Sequence, residues 1–458
     1  INEKERIKMT KRLISCLLCL CTLIGFAAVA YADDPVEVVF WNGYTGSDQP
    51  TLEAIVETYN NSQDNVHIKM EIMPWDTLYQ KLMPAFIAGN APDLIGFSVT
   101  RYMEYAMAGK LEPLDAFIAS SETITMDNLV QGLFKAGNYD GKQYTLPMAC
   151  AAMVMYYNKD MFREAGLDAE NPPATMEELY AAWDKLIQKD GNGNVTQYAQ
   201  AIGVKSTVAM MPVFMWAYGA DYIKDGKSVL DSDEATAAMT MIADAYAKGV
   251  SPVGLTGQEA DDLFAAGKAA IEFNGQWAAP GFRAAGIDLG IAEVPAGMDG
   301  RDRKTWGGDS IMCMSADSKV KEAAWDFMEY WNGKEAQKTW ALNVGFIPSR
   351  LDMADDEEIL TGNPDLAVFM KASTYAQMFM ADQPMSGRID EEVLVPLYES
   401  VSRGTAAPAD ALKKASKALD AILALFDGRR EDCLAIAAAV SGIDSPEAVS
   451  YTHLTLPT

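Results

Sequence analysis

Apolar and polar residues alternate through Val36-Glu37-Val38-Val39-Phe40-Trp41, and the β-branched and aromatic types in that period predict a first strand. The pattern breaks at Asn42-Gly43-Tyr44-Thr45-Gly46, which reads as a loop. From there the period becomes helical. Leu52, Ile55, Val56 and Tyr59 fall on one face, Pro50 sits in the first turn, and Ser47 is the expected cap. A second strand is predicted over Val66–Ile72. A second helix is predicted from Asp76 to Ala88, with Leu78, Leu82 and Phe86 inward before Gly89, then a third strand over Pro92–Phe97. Strand–helix alternation at this spacing predicts an α/β layered fold with a mainly parallel sheet. Further helices are expected at Thr175–Gln188, Ser232–Lys248, Asp317–Asn332 and Ala407–Phe426, with strands at Met153–Tyr157 and Ala269–Phe273. No repeat or Gly/Ser linker divides the chain, so two domains woven by several crossings are expected rather than two joined at one boundary.

Composition agrees with a globular protein: 458 residues, 49% hydrophobic and 22% charged, a length that suggests two or three domains. The net charge of -27 sets the chain against phosphate backbones and anionic membrane surfaces, which excludes nucleic acid as a partner. Residues 1–32 read as upstream residues and a secretory signal. Lys8, Lys11 and Arg12 precede the apolar run Leu13–Val29, and Ala30-Tyr31-Ala32 offers a cleavage site. Removing the five basic and two acidic residues of that leader takes the net charge from -27 to -30. An uncleaved anchor is the alternative reading of the same run. Cys16, Cys19 and Cys21 lie inside the leader, and no cysteine follows the run where a lipid would attach, so a lipid anchor is not expected. Cys150, Cys313 and Cys433 remain, an odd number at wide spacing, and are expected to be buried thiols, with one disulfide as the alternative. The last ten residues, 449–458, resemble the translation of a sequencing-library adapter, which makes His453 an artefact and leaves His67 as the one histidine of the body. A catalytic or zinc-binding histidine cluster is thereby excluded.

Signatures of enzymes are missing: the sequence has no G-x-x-x-x-G-K-[ST], G-x-S-x-G or H-E-x-x-H. Asp190-Gly-Asn-Gly-Asn194 starts like a calcium loop, but Val195 and Ala201 stand where glycine and glutamate belong, so a turn is expected. Asp390-Glu391-Glu392 and Asp261-Asp262 are candidate acid pairs for glycoside hydrolysis, and both read as solvated helix faces. No catalytic residue, metal or cofactor is therefore expected. The tryptophans say more. Trp183, Trp325, Trp331 and Trp340 lie in helices among Leu, Phe and Ala and read as core. Trp41 precedes Asn42-Gly43-Tyr44, Trp277 follows Asn274-Gly275-Gln276, and Trp306 precedes Gly307-Gly308-Asp309. Rings at strand ends beside glycines build pockets for flat ligands, and the C–H faces of sugars stack on indole.

The chain resembles the extracellular solute-binding proteins of ABC importers, the group that binds sugars and sn-glycerol 3-phosphate and includes maltose-binding proteins. The resemblance rests on ordered blocks spread over residues 36–426. They include Val39-Phe-Trp-Asn-Gly-Tyr44, Ala88-Gly-Asn-Ala-Pro-Asp93, Gly109-Lys-Leu-Glu-Pro-Leu-Asp115 and Gly141-Lys-Gln-Tyr-Thr-Leu-Pro147. Tyr156-Tyr-Asn-Lys-Asp160, Phe264-Ala-Ala-Gly-Lys-Ala-Ala270 and Gly345-Phe-Ile-Pro-Ser-Arg350 follow in the family's order. It implies the two-lobe periplasmic binding protein fold, with a ligand cleft between α/β lobes and three hinge crossings near Leu146–Ala152, Lys304–Asp309 and Asn343–Pro348. The expected lobes are 33–147 with 306–344, and 148–305 with 345–426, followed by an extension, 427–448, beyond the family's usual final helix. The implied function is a periplasmic receptor, monomeric and not an enzyme, that captures a carbohydrate by cleft closure and hands it to the permease. Candidate binding residues are Trp41, Tyr44, Asp48, Trp75, Phe97, Trp277, Trp306, Gly307, Gly308, Asp309, Phe346 and Arg388. A salt bridge to Asp390 or Glu391 accounts for Arg388 equally well. Ala149-Cys150-Ala151-Ala152 stands where glycerol-phosphate receptors carry hydroxyls, which favours a neutral sugar over sn-glycerol 3-phosphate or another small metabolite.

Overall fold

The computed structural model describes residues 34–425, apart from 126, 205–209 and 309. The expected leader, Cys433, the C-terminal tail and Asp309 lie outside the described residues. In chain order the elements that position the site begin with β1 (Val36–Asn42), α1 (Gln49–Ser62), β2 (Val66–Ile72), α2 (Trp75–Ala88) and β3 (Leu94–Ser98). Then come β4 (Thr145–Pro147), β5 (Ala151–Ala152), β6 (Val154–Asn158), α3 (Met176–Leu186), β7 (Gln188–Lys189) and β8 (Val195–Ala201). The second half supplies α4 (Met210–Ala217), α5 (Asp233–Lys248), α6 (Gly257–Ala265), β9 (Ala269–Asn274), β10 (Leu289–Ala292), β11 (Thr305–Gly308) and β12 (Ser310–Met314). It ends with α7 (Lys321–Trp331), α8 (Lys334–Val344), β13 (Ala376–Gln377), α9 (Val395–Ser402) and α10 (Pro408–Ala424).

Among the described residues the strands form two five-stranded sheets, β2-β1-β3-β12-β4 in one lobe and β10-β6-β9-β8-β7 in the other, with a three-stranded strip β13-β11-β5 between them. The local patterns carry through. Helix α1 buries Leu52, Ile55, Val56 and Tyr59. Helix α2 buries Leu78, Leu82 and Phe86 and stops at Gly89, whose left-handed φ of 72° suits a residue without a Cβ. Ser232 caps α5 through the Ala235 N–H at 3.2 Å. Asp190 folds its loop back by accepting from the N–H groups of Asn192 and Asn194, the expected turn. Cys313 is buried and Cys150 half-buried, both as thiols.

Three expectations are corrected. The first sheet is mixed: β1, β2 and β3 are parallel, whereas β12 runs antiparallel to both β3 and β4. It does so because the chain re-enters this lobe beside the strand by which it left. Ser47 does not cap α1; its hydroxyl donates to the Trp277 carbonyl of the other lobe, and Asp48 occupies the cap position without a side-chain bond to the helix. Of the acidic runs, Glu391, Glu392 and Asp262 are exposed as expected, but Asp390 is 3% exposed and Asp261 half-buried.

The three expected crossings lie side by side. Met148 donates to the Ser310 carbonyl at 2.9 Å and Met153 to the Trp306 carbonyl at 3.0 Å, while Ala151 and Ala152 pair with Gly308 and Gly307. The third joins them through Ile347 N–H to the Cys150 carbonyl at 3.1 Å. Beyond it the chain stays with the first lobe longer than expected. Val130 donates to the Ser349 carbonyl at 2.8 Å, and Arg350 donates to the Asn332 carbonyl at 2.9 Å.

Small residues are required in this strip. A Cβ added to Gly307 would overlap the Ala376 Cβ and stand 3.4 Å from the Ala151 carbonyl oxygen. Gly307→Ala is expected to lower stability by about 1–3 kcal/mol, the usual cost of overpacking, read from the urea unfolding midpoint. An unchanged midpoint would mean that the strip is looser than the geometry says.

Candidate functional site

The residues that end β1, β9 and β11 and begin α2 meet where the lobes face each other, and most of them are aromatic. Starting from the crossing, Trp306 of β11 stands edge-on to Trp277 at 6.5 Å, and Trp277 stacks on Phe346 at 6.1 Å. Phe346 lies parallel to Trp340 of α8 at 5.1 Å, and Trp340 meets the edge of Tyr44 at 5.5 Å. Tyr44 contacts Trp75 at 5.6 Å, Trp75 stacks on Tyr79 one helical turn later at 6.0 Å, and Tyr79 stacks on Phe97 at 6.4 Å. The rings form one continuous arc from the second lobe, through the crossings, into the first. Each contact of this kind contributes roughly 0.5–1.5 kcal/mol beyond area burial. Two glycines make the ends of the arc possible: Trp75 lies on the backbone at Gly43 and Trp277 on that at Gly275, where any Cβ would run into the indole.

Hydrogen bonds hold the Trp277 turn in place. Asn274 accepts from the Gly275 N–H at 2.8 Å and donates to Asp261 at 2.7 Å and to Glu272 at 3.0 Å, while the Tyr156 hydroxyl donates to the Gly275 carbonyl at 2.8 Å. Gln276, fully buried, accepts from the Ala152 N–H at 3.3 Å and so ties the turn to the crossing. Burial pushes Glu272 well above its usual range and Asp261 up to about 6. Within the first lobe the Tyr44 hydroxyl bonds to that of Ser310 at the start of β12, and across the lobe boundary Ser47 bonds to Trp277 as above.

Several polar atoms beside the arc are buried and have no hydrogen-bond partner among the described residues: Asp48 Oδ1, Asn42 Nδ2, Trp41 Nε1 and Trp340 Nε1. A buried unsatisfied donor or acceptor costs about 1–3 kcal/mol, so a cluster of them favours a ligand that supplies hydroxyls. Asp48 is the charged member. Burial raises its pKa from 3.8 to about 7, with the negative charge of Asp261 adding to the effect. Among the described residues no group of three or more His, Cys, Asp or Glu side chains is arranged to hold a metal.

The structure brings Tyr44, Trp75, Trp277, Trp306 and Phe346 together in the arc, with Asp48 and the glycines of β11 beside it. Phe97 is fully buried and reaches the arc only through Tyr79. Trp41 is half-buried against the cluster that holds Phe97. Gly307 and Gly308 belong to the crossing; Gly308 has φ 140° and passes 3.2 Å from Val99 as judged by an added Cβ. Arg388 pairs with neither Asp390 nor Glu391 but with Glu392, one helical turn on, through two bonds of 2.7 and 3.0 Å. Trp340, read as core, is 1% exposed and belongs to the core while also linking the arc; sequence reasoning missed Tyr79, Asn42 and Gln276. A ring one turn after Trp75 was the available signal for Tyr79.

The family model for bacterial extracellular solute-binding proteins matches residues 54–368. The maltotriose-binding protein of Pyrococcus abyssi is 28% identical over 380 residues, which is 80% of this chain and 79% of that protein. The galactooligosaccharide-binding protein of Bacillus subtilis is 23% identical over 426 residues, 90% of this chain and 97% of its own length. Among solved structures, an ABC transporter solute-binding protein from Thermotoga lettingae bound with α-D-tagatose superposes with a TM-score of 0.76 at 24% identity, covering 85% of this chain and all of that one.

The buried carboxyl of Asp48 has a consequence for stability. Because its folded pKa is raised, the native state binds more protons than the unfolded chain between pH 3.8 and about 7. The destabilisation is absent below that window and fully present above it. Asp48→Asn is therefore expected to unfold at higher urea than the wild type at pH 8, by an amount on the order of 1–4 kcal/mol, and to converge with it near pH 4. Parallel pH profiles would rule out a buried, proton-holding Asp48.

Proposed function

Because the chain belongs to the bacterial extracellular solute-binding proteins, we propose that it is the receptor of an ABC importer for a neutral carbohydrate, mono- or oligosaccharide. The observation that carries this reading is the aromatic arc bridging both lobes, with unpartnered hydrogen-bonding atoms at Asp48, Asn42 and Trp340 along it. The half-buried rings of Trp75, Tyr79 and Trp277 offer faces to sugar C–H groups, the fully buried rings brace them, and the polar atoms await hydroxyls. Closure of two lobes about three adjacent crossings makes ligand contact by both lobes the stabilising event, and the closed form is what a permease recognises. Such closure is the general mechanism of periplasmic binding proteins. On this reading the receptor, exported by the leader expected at residues 1–32, works in the periplasm as a monomer and without turnover.

The runner-up, sn-glycerol 3-phosphate, fits less well. Its dianion would come to rest beside Asp48, whose proton affinity is already raised by burial and, further, by the negative charge of Asp261. The guanidinium nearest the arc, Arg101, is committed to carboxylates. A neutral polyol meets no such opposition.

Intrinsic tryptophan fluorescence titrated with monosaccharides, maltooligosaccharides, galactooligosaccharides and sn-glycerol 3-phosphate tests this. One sugar is expected to give a saturable change, weakened about tenfold or more in Trp277→Ala, the loss of roughly 1.4 kcal/mol of stacking. A response to sn-glycerol 3-phosphate alone would overturn the ligand class, and release of product from a chromogenic glycoside would overturn the receptor reading.

A further inference from the structure

Beyond Tyr79 the arc ends in a charged cluster that the receptor reading does not use. Arg101, in the turn after β3 in the first lobe, has its side chain 9% exposed, and its guanidinium lies 5.0 Å from the centre of the Tyr79 ring. The acids it bonds come from the other lobe, Asp390 at 2.8 Å and Glu391 at 3.3 Å, while half-buried Glu104 of its own lobe faces the same guanidinium. Beside them the Ser386 hydroxyl donates to the Thr100 carbonyl. Gly387 lies against the guanidinium so closely that an added Cβ would be 2.5 Å from Arg101 Nη1. Asp390 begins a π-helical turn, Asp390–Leu394, that leads into α9, and α9 and α10 pack on α5 of the second lobe. A π turn is an uncommon local distortion that recurs at functional positions. None of these residues belongs to a crossing.

We propose that Arg101, gripped by Asp390, Glu391 and Ser386 over Gly387, is a clasp that fixes the two lobes in the closed register, a positioning role separate from ligand contact. Glu104 of the first lobe offsets part of the charge, but the two ion-pair hydrogen bonds of the buried guanidinium form only when the second lobe is in place. Closure in any other register would leave the arginine and Asp390 each buried without its partner. The cation also sits on Tyr79, so the ring at the end of the arc and the lobe contact are set by one side chain. The inference rests on the receptor reading only for its purpose, which is to raise the fraction of binding-competent protein and with it the apparent affinity.

The test needs no ligand. Small-angle scattering on the ligand-free full chain is run for wild type, Arg101→Gln, Asp390→Asn and Gly387→Ala, with circular dichroism to establish folding. The glycine variant keeps every charge and displaces only the guanidinium, so it serves if Arg101→Gln fails to fold. The expected result is a larger radius of gyration in all three variants, with backbone amides of residues 98–104 and 384–392 exchanging about tenfold faster in each. Unchanged radii in the folded variants overturn the proposal. So does expansion in Arg101→Gln alone, which would make Asp390 incidental. If no carbohydrate binds the wild type, the proposed ligand fails while these radii still decide the clasp.

Discussion

Three backbone crossings held edge to edge govern everything else in this molecule. β5, β11 and the segment through Ile347 share hydrogen bonds, so the two sheets are joined by a narrow strip and not by a broad interface. A narrow strip of that kind is the geometry through which hinge closure operates in periplasmic binding proteins. It also explains the residues found there. Ala149, Ala151 and Ala152 are buried where Gly307 and Ala376 approach too closely for larger side chains. The same alanines read in sequence as a ligand-selecting departure from hydroxyl residues; their packing at the crossing is a sufficient physical reason for their size.

The strip delivers three of the arc's members. Trp306 is on β11, Phe346 on the third crossing, and Trp277 is tied to the first crossing through Gln276. Rings placed on the hinge strands change their neighbours whenever the lobes move, and rings placed on the lobes, Tyr44 and Trp75, change theirs with respect to these. A ligand lying along the arc therefore touches surfaces whose spacing depends on closure, and this differential contact is the thermodynamic requirement for a ligand to shift a conformational equilibrium.

Much of this was legible in the sequence because it is local. Strand and helix periods placed β1, β2 and α2 within a residue and α1 within three, and the conjunction of glycine with tryptophan pointed to Trp277, whose ring lies on backbone that lacks a Cβ, and to Trp306. Ordered family blocks supplied the three crossings. What stayed hidden depends on partners far along the chain. Trp340 has the surroundings of a core helix, and only the fold shows its indole parallel to Phe346. Asp390 and Asp261 look like solvated acids in any local window, because the groups that bury them, Arg101 for one and Asn274 with Glu272 for the other, are contributed by other elements. The Ser47 hydroxyl had an adequate local role as a cap and was taken instead by a carbonyl 230 residues away.

Two opposed electrostatic arrangements then meet across the boundary. At one place buried Asp48 of the first lobe is brought toward half-buried Asp261 of the second, which makes closure unfavourable for the charged form of Asp48. At another, Arg101 of the first lobe meets Asp390 of the second, which favours it. Closure without ligand thus carries a repulsion that a donated hydroxyl at Asp48 Oδ1 would relieve, since a hydrogen bond to the carboxylate stabilises the charged form that burial alone disfavours. A receptor built this way has no need of a strong lobe-to-lobe interface. It needs a near-balance that a few well-placed hydroxyls can tip, and a net negative protein achieves that more readily for a neutral polyol than for an anion.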